Sequence, residues 1–411
     1  MASNFGSFIA DSLYNPNYGY FSKRVRIFSP SQPFDFTAIK SSLAYDRILA
    51  SAITEFEDSI TLENEATSSR QVFHTPTELF NPFYGQSIAR HLLHQYRSHY
   101  FPHTDLRVYE IGGGNGTLML NILDYIYRTD PEVYSRLQYR LVEISRQLAR
   151  QQRKTLEKSV HGKEHLEHVE IIQKDFLTWS VPEPRPTYIL AMEVIDNLPH
   201  DVIRYDPQTG QPMQGVVVID ENGEFEETYT PSMDELPRRY LELRAKVGYD
   251  HLPMTHPQKI PTLLRRLFHT LPYTGRLTAR EFIPTTMLSL LDVLSEYFPH
   301  HHLVLSDFDN LPNAIPGYRA PVVQTRYRRA MVPCTTYLVQ QGYFDIFFPT
   351  NFEELCKLYE ILCPSYFGTR RTQVVSHREF VEQWGNLNLT RTRNGENPMR
   401  DYYENVKMLI S

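Results

Sequence analysis

Five small residues in the first third of the chain have the types and spacing of a nucleotide-binding turn. They lie between the apolar run 107–111 and a helix-like run that begins near Leu118, and they are Gly112, Gly113, Gly114, Gly116 and Thr117. Glycine adopts a positive φ without penalty and lets a ligand lie against bare backbone. A strand that leads into a glycine turn and then a helix begins a doubly wound nucleotide-binding sheet. We therefore predict that these residues contact a nucleotide-like cofactor; the alternative is a turn that only joins a strand to a helix.

The residue at position 117 decides between two classes of nucleotide. The dinucleotide fingerprint G-x-G-x-x-G, counted from Gly112, needs Gly or Ala at 117, where the chain has Thr117. This weakens an NAD assignment. The run E-I-G-G-G-N-G at 110–116 instead resembles motif I of S-adenosylmethionine (SAM)-dependent methyltransferases. SAM carries an amino acid and a sulfonium instead of a pyrophosphate, and Glu110 is a suitable carboxylate beside that positive charge.

Further acids stand at the ends of the next predicted strands, at Glu143, Asp175 and Glu193. In a doubly wound sheet the ligand binds at the carboxyl ends of the strands. Glu143 lies 27 residues after Gly116, where an acid can hold both ribose hydroxyls. Asp175 can accept from an adenine amino group, with Phe176 against the ring. Each acid alone is more commonly a solvated loop carboxylate, but three in register with the glycine turn favour an adenosine-type ligand.

Alternating strands and helices position these residues. The predicted strands of the central sheet are 107–111, 139–144, 169–176, 187–192, 302–308, 335–339 and 343–348. The predicted helices that pack on it are 117–127, 145–158, 284–297 and 352–362. Such alternation is typical of a doubly wound α/β fold with a mostly parallel sheet.

A helical cover, residues 1–100, precedes the sheet. Helices are predicted at 8–14, at 40–57 and from Pro76 to about 96. Thr75 is the predicted N-cap of the third, with Glu78 as its capping-box partner. A leading helical segment of this kind forms either a lid over a cofactor site or a structural layer on the sheet, and the spacing does not distinguish them.

The rest of the chain divides into four predicted segments. Residues 101–204 hold the glycine turn and form the cofactor-binding half of the sheet. An insertion follows at 205–280, with a hairpin at the sequence Glu221-Asn222-Gly223 and helical patches near 235–246 and 260–270. We expect it to lie over the carboxyl edge of the sheet, above the substrate cleft. The final segments are the second half of the sheet at 281–365 and a polar C-terminal tail at 366–411.

Composition excludes several classes of function. The net charge of −6 over 411 residues gives no broad basic field, so no nucleic-acid partner is predicted. No run approaches the roughly 18 apolar residues of a membrane span. The three cysteines have no metal-binding spacing, so we predict no metal site and free thiols in a reducing compartment. Few basic residues precede Lys23, so no targeting peptide is visible; the protein is cytosolic or a targeting segment lies outside this sequence.

Four motifs resemble the MidA-like (DUF185) family, which includes protein arginine methyltransferases of type II in mitochondria and bacteria. They are the glycine turn at 110–118, Glu193-x-x-Asp196-x-x-Pro199, and the runs 15–20 and 75–85. The resemblance covers residues 5–200 well and continues more weakly through 305–308 and 342–352. Two positions depart from the family pattern N-E-x-x-D-A-x-P: Met192 replaces Asn, and Asn197 replaces Ala.

The resemblance implies a fold, a cofactor and a substrate. The fold is a doubly wound, seven-stranded class I methyltransferase sheet with an N-terminal helical cover and a mid-chain insertion. The cofactor is SAM, and the substrate is an arginine on a protein, converted to symmetric dimethylarginine. Because the family's mitochondrial member assists assembly of respiratory complex I, a complex I subunit is the implied partner and the mitochondrial matrix the implied location. A homodimer remains open.

Glu193 and Asp196 are the candidate catalytic residues. They stand three residues apart at the start of a predicted helix, so both can face the cleft. A guanidinium presents a rigid fork of donors, and carboxylates pair with it in a bidentate way. The two acids would then aim one guanidinium nitrogen at the methyl group; alternatively they only cap the positive end of that helix.

Two other functions fit the same sequence. One is methylation of a different protein or of a small molecule. The other is an assembly chaperone that keeps the fold without catalysis. The intact glycines and strand-end acids argue against the chaperone, whereas Met192 argues mildly for it.

Overall fold

The computed structural model describes residues 2–23, 25–63, 72–249, 258–261, 277–327, 330–364 and 372–411. Apart from its first two positions, the helix predicted near 260–270 lies outside these residues. Among the described helices, none is long and apolar enough to cross a membrane.

Helices are interspersed with the strands along the described chain. In chain order they are α1 Phe5–Tyr14, α2 Tyr20–Lys23, α3 Ser42–Glu63, α4 Pro76–Leu79, α5 Phe83–His99, α6 Thr117–Thr129, α7 Pro131–Tyr134, α8 Arg146–Lys158, α9 Gly162–Leu166, α10 Glu235–Lys246, α11 Thr285–Tyr297, α12 Phe352–Leu362, α13 His377–Trp384 and α14 Pro398–Asp401. Short 3₁₀ turns lie at Phe36–Ala38, Phe176–Thr178 and Ile195–Asn197.

The described strands fall into several sheets. In chain order they are β1 Ala2–Asn4, β2 Arg26–Ile27, β3 Val72–Phe73, β4 Arg107–Ile111, β5 Gln138–Glu143, β6 Val169–Gln173, β7 Thr187–Met192, β8 Asp201–Tyr205, β9 Pro212–Ile219, β10 Phe225–Thr230, β11 Glu281–Ile283, β12 His301–Phe308, β13 Val322–Tyr327, β14 Ala330–Cys334, β15 Asp345–Phe347, β16 Gln373–Ser376 and β17 Val406–Ile410.

The central sheet has seven strands in the order β16-β17-β12-β7-β4-β5-β6. All of its strands run parallel except β17, which is antiparallel to both neighbours. From β4 the chain first builds outward through β5 and β6, then returns to the other side of β4 with β7. The switch point therefore lies between β4 and β7, and a ligand is expected at the carboxyl ends of these strands. The predicted doubly wound, seven-stranded sheet is confirmed.

Both faces of this sheet are covered, as the alternation of its buried side chains requires. Val108 and Leu190 belong to the core under α5 and α6. Tyr109 and Ile189, the neighbours of those residues, belong to the core under α11 and α12. All five residues of β4 are buried, so the strand that carries the glycine turn is held rigidly from both sides.

The predicted last two strands of this sheet, at 335–339 and 343–348, are wrong. Val406–Ile410 pairs with β12 and Gln373–Ser376 pairs with β17, so the sheet is completed from 366–411, the segment predicted to be a polar tail. The residues around 345 instead form β15, which joins β13 and β14 in a separate three-stranded sheet. Aromatic and β-branched residues indicate that a strand forms but do not say which sheet it joins.

The N-terminus and the inserted residues build a second layer above the carboxyl edge. β9 pairs with β1, β8 and β10 in an antiparallel sheet that also holds β11. The predicted hairpin is confirmed, because β9 and β10 pair across the turn that contains Gly223. A separate core joins α1, this sheet and the three-stranded sheet through Phe5, Val202 and Ile346.

Candidate active site

One cavity of about 750 Å³ lies where the switch point meets this second layer. Its floor is the carboxyl edge of the central sheet, and its walls come from α1, the residues around α4, the start of α10, and β15. The predicted site residues on its lining are Glu110, Gly112, Gly113, Gly114, Thr117, Glu143, Asp175, Phe176, Glu193 and Asp196. Gly116 is the one predicted site residue not on this lining. It is the N-cap of α6 and has a φ of +83°.

The glycine turn leaves room for a ligand and little room for side chains. Gly112 and Gly114 have φ of +66° and +54°, a region that side chains other than glycine rarely adopt. A Cβ on Gly113 would lie 2.9 Å from Cδ of Glu110, and one on Gly114 would lie 2.7 Å from Cδ1 of Ile27. Ile27 and Gly114 both line the cavity, so a branched side chain at 114 would enter space that a cofactor needs.

Glu78 fixes the far end of this turn. Its Oε1 accepts from Thr117 Oγ1 at 2.7 Å and from Asn115 Nδ2 at 2.9 Å. Thr75 does cap α4, since its hydroxyl accepts from the Glu78 backbone N–H at 3.3 Å. Glu78 does not reach back as a capping-box partner; its side chain joins the helical cover to the glycine turn instead.

Glu110 is buried at the end of β4, where the hydroxyl of Tyr139 donates to its Oε2 at 2.6 Å. The pKa of this carboxyl is raised to about 7, because burial and, to a smaller degree, the charge of Glu143 outweigh the Tyr139 hydrogen bond that lowers it. A bound cation would favour the ionised form. Glu110 is therefore suited to a ligand with a positive amino or sulfonium group.

Glu143 is held in one orientation at the end of β5. Its Oε1 accepts from the Ser145 N–H at 2.8 Å, and its Oε2 accepts from Gln152 Nε2 at 3.1 Å. Gln152 also donates to the carbonyl of Gly114 at 3.0 Å, so it ties the acid to the glycine turn. Burial raises the pKa of Glu143 to about 7.

Asp175 and Phe176 follow β6. The Asp175 side chain accepts from the Leu177 N–H at 2.9 Å, which caps a short 3₁₀ turn. The ring of Phe176 stacks on Trp179 and Phe298, with centroids 5.9 and 5.7 Å away. Phe176 thus lines the cavity from a fixed position in the core, and its contact with an adenine ring stays a prediction.

Glu193 has an unusual backbone at the end of β7, with a φ of +53°. Non-glycine residues in this region cost free energy and persist where the surroundings hold them. Here the Glu193 N–H donates to the Ser306 carbonyl at 2.8 Å. The side chain enters the cavity, and its Oε1 is buried with no hydrogen-bond partner in the described part of the chain. Burial, and then the charge of Asp307, raise its pKa to about 8.

Asp307 orders the turn that carries Asp196. Its Oδ2 accepts from the backbone N–H groups of Ile195 at 2.9 Å and Asp196 at 3.1 Å. Asp196 is 5% exposed, and its Oδ1 finds no hydrogen-bond partner among the residues described. Burial, followed by the charges of Asp307, Asp345 and Glu193, holds the pKa of Asp196 well above its usual range. The predicted helix here is only a 3₁₀ turn, Ile195–Asn197, and Asp307 caps it.

Negative groups dominate the whole cavity. The carboxylates on its described lining are Glu78, Glu110, Glu143, Asp175, Glu193, Asp196, Asp201, Asp234 and Asp345. Two basic side chains, Lys174 and His74, share that lining, and burial lowers the pKa of His74. Buried carboxylates without cations are unfavourable. The cavity is therefore suited to ligands that bring positive charge.

The raised pKa values predict a pH dependence of stability. The folded-state pKa of Glu110, Glu143 and Glu193 exceeds the ordinary 4.5, so between these values the folded chain binds more protons than the unfolded chain. Stability of the ligand-free protein should therefore fall as pH rises from about 5 to about 8. Thermal melting across this range checks it. Glu193→Gln removes one such group and should make the decline shallower; a parent Tm that rises over this range would contradict the burial of these acids.

The substitution Glu143→Ala tests the predicted contact between this acid and the ribose of the cofactor. We expect it to weaken SAM and S-adenosylhomocysteine to a similar degree, because both carry the same ribose. This is uniform binding, which raises KM and leaves turnover near normal. Calorimetric titration with both compounds measures it. A fall in turnover alone would instead assign Glu143 to the chemistry.

Three residues of the site, one of them (Asp345) on the cavity lining, were not predicted from the sequence. Asp307 is the penultimate residue of β12, and a search for acids near strand ends, which selected Asp175, would have selected it too. Asp345 is an acid inside an apolar run, and acids are rarely buried without a partner. Gln152 carried no signal, because only the packing of α8 brings it to Glu143.

The fold and the site together define a class. A seven-stranded sheet with one antiparallel strand, a glycine turn at the switch point and an acidic cavity beside it is the arrangement of a SAM-dependent methyltransferase. The sequence model of one family, described as "Putative S-adenosyl-L-methionine-dependent methyltransferase", matches residues 87–366. The chain belongs to this family, the MidA-like (DUF185) family, and the predicted cofactor, SAM, is confirmed.

The chain is also similar to two individual proteins. It is 25% identical over 324 residues to the mitochondrial "Protein arginine methyltransferase NDUFAF7 homolog" of Schizosaccharomyces pombe, an alignment that covers 77% of this chain and 65% of that protein. The chain thus spans just under two thirds of that relative's length. The crystal structure of a COG1565 superfamily member from Burkholderia thailandensis, bound to S-adenosyl-homocysteine, has a TM-score of 0.61 and 15% identity; the match covers 100% of this chain and 87% of that one.

Proposed function

We propose that this chain is a protein arginine N-methyltransferase that forms symmetric dimethylarginine. Its proposed substrate is a protein of the mitochondrial matrix, a subunit of respiratory complex I. The observation that carries the proposal is the pair Glu193 Oε1 and Asp196 Oδ1, both buried on the wall of the cavity beside the glycine turn and both without a hydrogen-bond partner among the described residues. The name of the fission yeast relative, a mitochondrial protein arginine methyltransferase, agrees with it.

The residues on the cavity lining are suited to SAM, and this argument does not depend on any relative. The turn at 112–114 has no space for a Cβ beside Glu110 and Ile27, as expected where a ligand approaches bare backbone. Glu143 would hold the ribose, Asp175 the adenine amino group, and Glu110 the positive methionine portion. When bound, SAM supplies an electrophilic methyl group on a sulfonium.

On the substrate side of the cavity, Glu193 and Asp196 bind the substrate, and Glu193 accepts a proton from it. Glu193 and Asp196 hold the guanidinium through charge-assisted hydrogen bonds. The nitrogen that accepts the methyl must lose a proton, since the methylated product is again a monocation. With a pKa near 8, Glu193 is matched to accept that proton at neutral pH. Glu193, with its positive φ, presents its side chain on the cavity wall, and α1 and the start of α10 form another part of that wall.

Incubation of the protein with methyl-labelled SAM and a mitochondrial extract tests the proposal. Mass spectrometry of the labelled protein should find symmetric dimethylarginine. Label on another residue type or on a small molecule would replace arginine as the substrate. Tight SAM binding without any transferred label would favour an assembly chaperone that keeps the fold.

A further inference from the structure

A third buried carboxylate faces the substrate side of the cavity. Asp345 is the first residue of β15, is 1% exposed and lines the same cavity as Glu193 and Asp196. It comes from the small three-stranded sheet and not from the central sheet. The family motif around Glu193 does not predict the position of Asp345, because the motif and β15 are about 150 residues apart in the chain.

Hydrogen bonds fix β15 against the turn that carries Asp196. The Phe348 N–H donates to the Asp196 carbonyl at 2.8 Å. Nδ2 of Asn197 donates to Asp345 Oδ1 at 3.2 Å and to the Ile346 carbonyl at 3.3 Å. Asn197 is one of the two departures from the family motif, where alanine is usual. In this chain, therefore, the departing residue orients the third carboxylate.

The charges of Asp307 and Asp345 both raise the pKa of Asp196. Of these two residues, only Asp345 is on the described lining of the cavity. Asp307 is fully buried, is not on the described lining, and accepts three backbone hydrogen bonds, from Ile195, Asp196 and Phe308. Its task is to shape the turn. Asp345 lies on the lining, and its charge acts on Asp196, whose Oδ1 lacks a partner within the described chain. A ligand with several donors in one plane can reach Asp196 and Asp345 together.

We propose that Asp345 is a specificity-determining residue that completes, with Glu193 and Asp196, a three-carboxylate pocket selective for a guanidinium, and that Asn197 sets its orientation. This inference rests on the proposed function. An arginine side chain offers five N–H donors in a rigid fork, whereas lysine is a compact point charge. The charges of Asp345 and Glu193 both act on Asp196, so full ionisation of all three buried carboxylates is unfavourable until a cation arrives. Entry of arginine therefore releases protons from the pocket to the buffer.

The experiment is calorimetric titration of the full chain, saturated with S-adenosylhomocysteine, in two buffers of different ionisation enthalpy. The probes are acetyl-Gly-Arg-Gly-amide and the peptides with lysine or with neutral citrulline in place of the arginine. The parent should prefer arginine to citrulline by tenfold or more, with about one proton released. Asp345→Asn should lose about tenfold of the arginine affinity and release fewer protons. The arginine affinity and the proton release of Asn197→Ala should lie between those of the parent and those of Asp345→Asn.

A matched control and a folding check accompany these variants. Asp201 is a buried carboxylate of the same cavity that already accepts from Gly6, Gln214 and Thr285, so Asp201→Asn should leave arginine affinity unchanged. S-adenosylhomocysteine affinity, which depends on other residues, shows that each variant is folded. An equal loss in Asp201→Asn, or unchanged arginine affinity in Asp345→Asn, would overturn the inference alone. A parent without preference for arginine would overturn the proposed function as well.

Discussion

Gly114→Val should abolish SAM binding while the rest of the fold stays intact. The glycine has a φ of +54°, and its Cβ would meet Cδ1 of Ile27 at 2.7 Å, inside the lining of the cavity. A branched side chain both strains the turn and occupies ligand space. Calorimetric titration with SAM should show a loss on the order of a hundredfold or more, equivalent to about 3 kcal/mol.

Gly223→Val separates ligand space from backbone strain. Gly223 has a φ of +87°, and a Cβ there would have nothing within 4 Å among the described atoms. Since it lies in the β9–β10 hairpin turn, the valine adds strain without entering the cavity. This control should melt at a lower temperature and bind SAM normally. If Gly114→Val also bound SAM like the parent, the turn would no longer be the cofactor site.

Glu193→Gln should lower turnover by about ten- to a hundredfold and leave SAM affinity nearly unchanged. The substitution preserves the shape of the side chain and removes the charge. Because charge-assisted hydrogen bonds are about twice as strong as neutral ones, the expected loss is about 1.5–3 kcal/mol. Glutamine has similar difficulty at a φ of +53°, so the strain of the turn is retained and does not confuse the comparison.

Peptide methylation, SAM titration and melting should be measured on one preparation of this variant. Glu170→Gln is the control, since that carboxylate lies on the surface and pairs with Arg140. If Glu193 were only a structural residue of the turn, the glutamine variant would melt slightly earlier and methylate at the parental rate per folded molecule. That outcome would remove Glu193 from the clamp.

The residues that we propose to bind the cofactor could be predicted to lie together, because their sequence signals are local. The glycine turn needs only the residues from 107 to 117, and the acids at 143, 175 and 193 end apolar runs that a short window reveals. Parallel strands then bring those ends to one edge without further information. The central strands around β4, the glycine turn and the strand-end acids can be predicted from the spacing of apolar runs and from the glycines and acids that end them.

The substrate half was less predictable because it is built by long-range pairing. The runs at 335–348 have strand composition, and nothing local shows that β15 joins the three-stranded sheet and not the central one. The strand Val406–Ile410 looked like part of a polar tail because its pairing partner is about a hundred residues earlier. Asp345 and Asp307 acquire their tasks only from such pairings, and Gln152 acquires its task from the packing of α8.

A structure of this protein with S-adenosylhomocysteine and an arginine peptide would test the central claim most directly. We predict that the ribose lies on Glu143, with the sulfur directed towards Glu193 and Asp196. One guanidinium nitrogen should lie about 3–3.5 Å from the position that the methyl group of SAM would occupy. A nucleoside bound away from the turn at 112–114, or an arginine held outside the reach of Glu193, would contradict the account.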